Sequence, residues 1–145
     1  AVDRPARPRP RESRPAESEE WRGSGTLLLV DDEESVRTVG TAMLEALGFS
    51  VLPAPDGLEA LETYRRRGEE IRAVVLDLTM PHMSGEETLR ELQRIRRDVV
   101  VVMASGYSEE HIAPRFAGGD LAGFVQKPYR LAHLARTLRR ALAES

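Results

Sequence analysis

The sequence predicts an α/β fold, a doubly wound sheet of five parallel strands with helices on both faces. Three observations carry that expectation. Short apolar runs of strand length alternate five times with stretches whose apolar residues recur at helical spacing. The segments between successive runs are long enough for crossover helices, which parallel pairing requires. Runs such as Ala73–Leu76 are apolar without alternation, as expected of strands buried on both faces.

The elements follow in order. Thr26–Val30 (TLLLV) is the first strand and ends at Asp31 and Asp32. Val36, Val39, Met43, Leu44 and Leu47 then place a helix over about Glu34–Leu47, with Gly48 as its stop signal. Ser50–Ala54 is a weak second strand. Asp56 and Glu59 form a start signal for a helix carrying Leu58, Leu61 and Tyr64, with Arg65–Arg67 solvated. The third strand, Ala73–Leu76, ends on a carboxylate, Asp77, before Pro81 and Gly85 break the pattern. Ser84 and Glu87 make a capping box for a third helix with Leu89, Leu92 and Ile95 at core positions. Asp98 ends that pattern, and Val99–Ala104, the most β-branched run in the chain, is the fourth strand, ending at Ser105 and Gly106. Ser108 can cap a fourth helix through Phe116. Pro114 falls beyond its first turn, where it removes a backbone bond, so this helix is expected to be short, kinked or mobile. Gly123–Gln126 is a brief fifth strand ending at Lys127-Pro128, and Leu131, Leu134, Leu138 and Leu142 stripe the last helix.

Residues 1–24 differ in kind. Pro5, Pro8, Pro10 and Pro15 are interspersed with Arg, Glu and Ser and almost no large aliphatic side chains. Such a segment cannot bury enough surface to offset the entropy of ordering, so it reads as a disordered linker or tail, with one domain over residues 25–145. Trp21, the only tryptophan, is either a docking anchor or, more simply, a partly exposed ring leaning on the domain edge. The chain opens on Ala1 rather than Met, as a piece of a longer protein would.

Composition narrows the function classes. At 145 residues and 41% hydrophobic, the chain supports one core and not two. A net charge of -3 gives no case for nucleic acid or an anionic membrane as primary partner. The absence of cysteine excludes disulfides and thiolate metal sites. No apolar run approaches the roughly 18 to 20 residues of a membrane span, and no signal peptide is evident, so a cytoplasmic location is expected.

In a doubly wound sheet, chemistry gathers beyond the carboxyl ends of the strands. The groups delivered there are Asp31 and Asp32, Asp77, Ser105 and Lys127, from four separate strands. Three carboxylates at close range repel, and a proton or a hard divalent cation must relieve that. Oxygen donors of this kind suit Mg²⁺, which is commonly shared with a phosphate. A hydroxyl and an ammonium opposite would suit the remaining phosphoryl oxygens. Lys127 is also the only lysine among 21 basic residues, and a compact ammonium is not interchangeable with a guanidinium. His111 and His133 share no metal-ligand spacing and read as surface residues, while His82, close to the site, is either a residue that tunes access or, more simply, a solvated loop histidine.

The motifs LLLVDDEE (Leu27–Glu34), VVLDLTMPHMSG (Val74–Gly85), MASGY (Met103–Tyr107) and GFVQKPY (Gly123–Tyr129) make the chain from about Thr26 to Ala143 resemble a response-regulator receiver domain of two-component systems. The resemblance implies a flavodoxin-like (βα)5 fold with strand order 2-1-3-4-5. It implies that Asp77 accepts a phosphoryl group from phosphohistidine, and that Mg²⁺ or Mn²⁺ is held by Asp31, Asp32, Asp77 and the backbone carbonyl of Thr79. Ser105 and Lys127 would bind the phosphoryl group, Ser105 and Phe124 would form the switch, and the bond before Pro128 would be cis. Thr79 and Tyr107 flank the phosphoryl position and are expected to tune its lifetime. Output would pass through the surface of the fourth helix, fifth strand and fifth helix.

The tail, the SGYSEE segment and the end of the chain after the fifth helix resemble the C-terminal receivers of hybrid sensor histidine kinases. The implied partner is a histidine kinase or histidine phosphotransfer domain, in cis or in trans, with the domain itself a monomer or weak dimer and not an enzyme in the ordinary sense. A stand-alone relay receiver is the alternative within the family. From other classes, the alternatives are a phosphate-independent interaction module and a Mg²⁺-dependent aspartyl-nucleophile phosphohydrolase. The latter usually needs a second acid two residues past the nucleophile, where this chain has Thr79.

Overall fold

The computed structural model describes residues 21–116 and 120–143, and most of the expected tail lies outside them. Along the chain run β1 (Thr26–Val30), α1 (Glu34–Ala46), β2 (Ser50–Ala54), α2 (Gly57–Arg67), β3 (Ile71–Asp77), α3 (Gly85–Ile95), β4 (Val101–Ser105), α4 (Glu109–Ile112), β5 (Gly123–Gln126) and α5 (Leu131–Ala143). Short 3₁₀ turns follow α2 and α4, at Gly68–Glu70 and Ala113–Arg115. The strands pair parallel in the order β2-β1-β3-β4-β5, the order expected.

Each strand sends alternate side chains to opposite faces, and both faces are covered. Leu28, Val30, Val74, Leu76 and Met103 pack with Leu61 of α2, Leu89 and Leu92 of α3 and Ile112 of α4. Leu27, Leu29, Val75, Val102 and Val125 pack with Leu44 of α1 and Leu134 and Leu138 of α5. This double coverage is why the strand sequences are unbroken apolar runs.

The capping expectations hold at two helices. Glu59 N–H donates to Asp56 Oδ1 at 2.9 Å. At α3 the box closes both ways, with Glu87 N–H on Ser84 Oγ at 3.2 Å and Ser84 N–H on Glu87 Oε1 at 2.9 Å. Other details differ from the sequence reading. Val39, Leu58, Ile95 and Leu131 are 50, 62, 38 and 44% exposed, not core. The last three sit in terminal turns of their helices, where neighbours are fewest, and Val39 lies to one side of the Gly40–Leu44 line that α1 buries. The fourth strand starts at Val101, with Val99 and Val100 leading into it.

The fourth helix is short, as Pro114 predicts. Its α-helical part is four residues, and Pro114 lies within the 3₁₀ turn that follows. There the missing N–H removes no α-helical bond. Ser108 occupies the N-cap position but its side chain makes no capping bond, contrary to the expectation.

Residues 21–24, read as tail, pack on the domain. Trp21 leans on Phe49 with ring centroids 5.9 Å apart. Gly23 N–H donates to Leu47 O at 2.7 Å, and Arg72 Nη1 donates to Ser24 O at 2.8 Å. Gly48 makes this approach possible. Its φ is +110°, and a Cβ there would stand 2.5 Å from the Gly23 carbonyl oxygen.

Candidate functional site

Backbone hydrogen bonds carry the parallel ladder past the strand ends and fix the residues that follow. Asp31 N–H donates to Ala54 O, Leu78 N–H to Ala104 O, and Lys127 N–H to Ser105 O. Asp31, Asp77, Ser105 and Lys127 are thereby held at one rim of the sheet. The chain after Asp77 doubles back, and Gly85 N–H closes the loop on Leu78 O at 2.8 Å. Only glycine fits there, because a Cβ at Gly85 would lie 2.5 Å from the Asp77 carbonyl oxygen and 2.7 Å from Leu78 Cα.

One carboxylate oxygen from each of Asp31, Asp32 and Asp77 lies within 4.8 Å of the others. Asp31 and Asp77 are buried, whereas Asp32 is exposed. Lys127 Nζ reaches both buried acids, at 2.9 Å from Asp31 Oδ2 and 3.1 Å from Asp77 Oδ1. Asp31 is held further by Glu33 N–H on its Oδ1 at 2.9 Å, and Arg37 Nη1 donates to its carbonyl oxygen at 2.7 Å. Thr79 N–H makes a long 3.4 Å contact with Asp77 Oδ1.

Burial, then the neighbouring Asp31 charge, push Asp77 up to about 6, against the pull of Lys127 and Thr79 N–H. Burial draws the Lys127 ammonium down, but the hydrogen bonds and charges of Asp31 and Asp77 outweigh it and hold its pKa above the ordinary value. The site is therefore a tight cluster of negative oxygens around the Lys127 ammonium, and it opens to solvent through a cleft also lined by Ser105, Gly106 and Tyr107. An all-oxygen donor set at this spacing fits a hard divalent cation.

The structure brings Asp31, Asp32, Asp77, Thr79, Ser105, Tyr107 and Lys127 to this one cleft. Ser105 Oγ accepts from Tyr107 N–H at 3.0 Å. Phe124 is not at the cleft. It is 7% exposed and sits in the core cluster with Met103 and Ile112. The Lys127–Pro128 bond is cis. His82 is exposed, at φ 71°, and does not line the cleft.

Sequence reasoning passed over Arg37 and Tyr129. Tyr129 is buried, its hydroxyl has no hydrogen-bond partner, and burial together with the charges of Asp31 and Asp77 raises its pKa strongly. An aromatic two residues past the lysine was the available signal. For Arg37 there was none, since a mid-helix arginine reads as solvated.

Comparison with known proteins identifies the class. The sequence profile of the response regulator receiver domain family matches residues 27–139, and the chain belongs to that family. More particularly, it is 40% identical over 120 residues to the sensor kinase CckA of Brucella abortus, covering 83% of this chain and 13% of that protein. It also resembles the solved receiver domain of the hybrid histidine kinase CckA, at 30% identity and a TM-score of 0.68 over 81% of this chain and 99% of that one. A receiver domain of the sensor histidine kinase PA1611 from Pseudomonas aeruginosa, solved with magnesium in its active-site cleft, matches at 26% identity and a TM-score of 0.71, over 83% of this chain and 99% of that one. The chain is thus a receiver domain of two-component signalling, similar to those of hybrid kinases, and spans only a small part of the CckA sensor kinase. Among the described residues no helix is long and apolar enough to cross a membrane.

Proposed function

We propose that Asp77 is the phosphoacceptor, taking a phosphoryl group from the phosphohistidine of a histidine kinase or histidine phosphotransfer domain. The observation that carries this is the position of Asp77: a buried carboxylate on which Asp31, Asp32 and Lys127 converge, at the mouth of a cleft. Asp31, Asp32, Asp77 and the Thr79 carbonyl would hold Mg²⁺ or Mn²⁺, which when bound offsets negative charge on the transferring oxygens.

The chain's own groups do the rest. An Asp77 carboxylate oxygen attacks phosphorus in line as the P–N bond breaks, and the electron pair stays with the imidazole, which takes a proton. Lys127, already 3.1 Å from Asp77, turns from the acids to the arriving phosphoryl oxygens. Ser105 gives up the Tyr107 N–H and donates its hydroxyl to the same group. Phe124 follows on the neighbouring strand and carries the change to α4, β5 and α5, a shift between two populated states. Thr79 and Tyr107 set how long the phosphoryl group survives.

The wider setting belongs to the same proposal. Residues 25–145 form the receiver, with residues 21–24 packed against it, joined through the residues before Trp21 to a hybrid histidine kinase in the cytoplasm. The domain acts as a monomer or weak dimer and not as a turnover enzyme. Incubation with Mg²⁺ and acetyl phosphate, followed by intact mass, tests the core of it. The wild type should gain one acid-labile phosphate and Asp77→Asn none. Uptake by both proteins, or by neither, overturns the assignment, and rapid sustained release of phosphate would favour a phosphohydrolase.

A further inference from the structure

Beyond the acids and Lys127, the cleft has an aromatic edge. The rings of Tyr107 and His111 lie nearly parallel, at 17° with centroids 5.2 Å apart. We propose that His111 is a positioning residue: it holds Tyr107 at the mouth of the cleft and thereby lengthens the life of the phosphoryl group on Asp77. The proposal rests on the phosphoacceptor reading of Asp77.

Four observations lead there. Tyr107 lines the cleft together with Asp77, Ser105 and Lys127, yet it is 60% exposed, so the core does not clamp it. Its backbone N–H is bound to Ser105 Oγ at 3.0 Å, which fixes the start of the side chain beside the phosphoryl position but leaves the ring to be placed by something else. His111 supplies that placement from the next turn of chain. His111 itself stands on a fixed platform, although α4 is only four residues long. Its N–H donates to Ser108 O at 3.1 Å, the adjacent Ile112 is 1% exposed in the core, and Arg115 Nη2 pairs with Glu86 Oε1 of α3 at 2.6 Å.

The chemistry affected is hydrolysis of the acyl phosphate. A water oxygen attacks phosphorus in line with the bond to Asp77. That bond breaks, its electron pair returns to the carboxylate, and the water, keeping one proton as part of the inorganic phosphate that leaves, gives the other to solvent. The water must enter through the cleft, and a ring held at the mouth takes up the space it needs. Loss of the partner ring frees Tyr107 to swing away. The free energy of an aromatic pair corresponds to about a two- to tenfold change in the population of the covering position.

The test uses the full chain, charged with acetyl phosphate and Mg²⁺, freed of donor, and followed by intact mass. His111→Ala should lose phosphate about two- to tenfold faster than wild type, whereas His111→Phe, which keeps a ring in place, should decay as wild type does. The double change His111→Ala with Tyr107→Ala should decay no faster than Tyr107→Ala alone. Equal lifetimes in wild type and His111→Ala, a His111→Phe protein that behaves as His111→Ala, or additive effects in the double variant would each overturn the proposal while leaving Asp77 as acceptor. A wild type that takes up no phosphate overturns the phosphoacceptor reading and this proposal with it.

Discussion

Asp77→Asn should make the metal-free domain more stable at neutral pH, because the acid that the site needs is one the fold tolerates poorly. Asp77 is 2% exposed and lies beside Asp31, and its pKa stands at about 6 against an ordinary 3.8. The direction of the linkage follows from that rise. The folded state binds the Asp77 proton more tightly than the unfolded state does, so this group favours folding fully below about pH 4 and loses that contribution as pH climbs through 6. At about 1.4 kcal/mol per pH unit, the loss is complete near pH 7 and amounts to about 3 kcal/mol. The amide of Asn carries no charge to bury, and Lys127 keeps Asp31 as a partner. Urea denaturation in chelator, followed by far-UV circular dichroism, reads the difference. With a typical slope, the midpoint of Asp77→Asn should exceed that of wild type by about 1–2 M at pH 7.5, and the gap should close near pH 4. Added Mg²⁺ should favour wild type and narrow the gap at pH 7.5, since ligand stabilisation follows affinity for the folded site. A variant no more stable than wild type at pH 7.5, or a gain that does not change with pH, would refute the reasoning.

Lys127→Met removes the cation paired with both buried carboxylates, so phosphoryl uptake from acetyl phosphate should fall about 10- to 100-fold while Mg²⁺ binding, measured by titration calorimetry, should tighten; uptake at the wild-type rate contradicts the role given to the ammonium. Gly85→Ala drives a methyl against backbone atoms of Asp77 and Leu78 and should cost about 1–3 kcal/mol, seen as a melting temperature lower by several degrees; an unchanged melting temperature would mean that the loop relaxes freely. Gly23→Val places a side chain where the Phe49 ring sits and should shift Trp21 emission to the red with the far-UV spectrum unchanged; identical emission would show that the Trp21–Phe49 contact does not form in solution.

The five parallel strands and the cluster of acids, hydroxyl and lysine were legible because each rests on a local pattern repeated along the chain, whereas the strand order came only with the resemblance to receiver domains. Apolar runs that end on Asp31, Asp77 or Ser105 mark both a strand and what it delivers. Pro114 was legible for a similar reason, since its effect on a helix is covalent. What the sequence withheld depends on neighbours far apart in the chain. Val39 fits a helical stripe as well as Leu44 does, and only the packing of α1 on the sheet separates them. Ser108 has the right chemistry for a cap but its side chain makes no bond, and the His111 N–H three residues on donates to the Ser108 carbonyl instead. Trp21 and Gly23 look like tail by composition. Their contacts with Phe49 and Leu47 depend on the sharp turn at Gly48, and composition does not report a turn's direction.

The loop between Asp77 and α3 is pinned at both ends. Leu78 is tied to β4 through Ala104 and to Gly85, and Ser84 is locked by the capping box. Thr79 and Pro81 lie exposed at the cleft between these ties, while Met80 between them packs into the core. The Thr79 and Pro81 side chains can therefore be exchanged for larger, smaller or more polar ones while the Asp77 carboxylate stays where it is. The Asp77 carboxylate and the exposed side chains beside it are mechanically separate, so a single scaffold can carry different cleft surfaces by varying two positions.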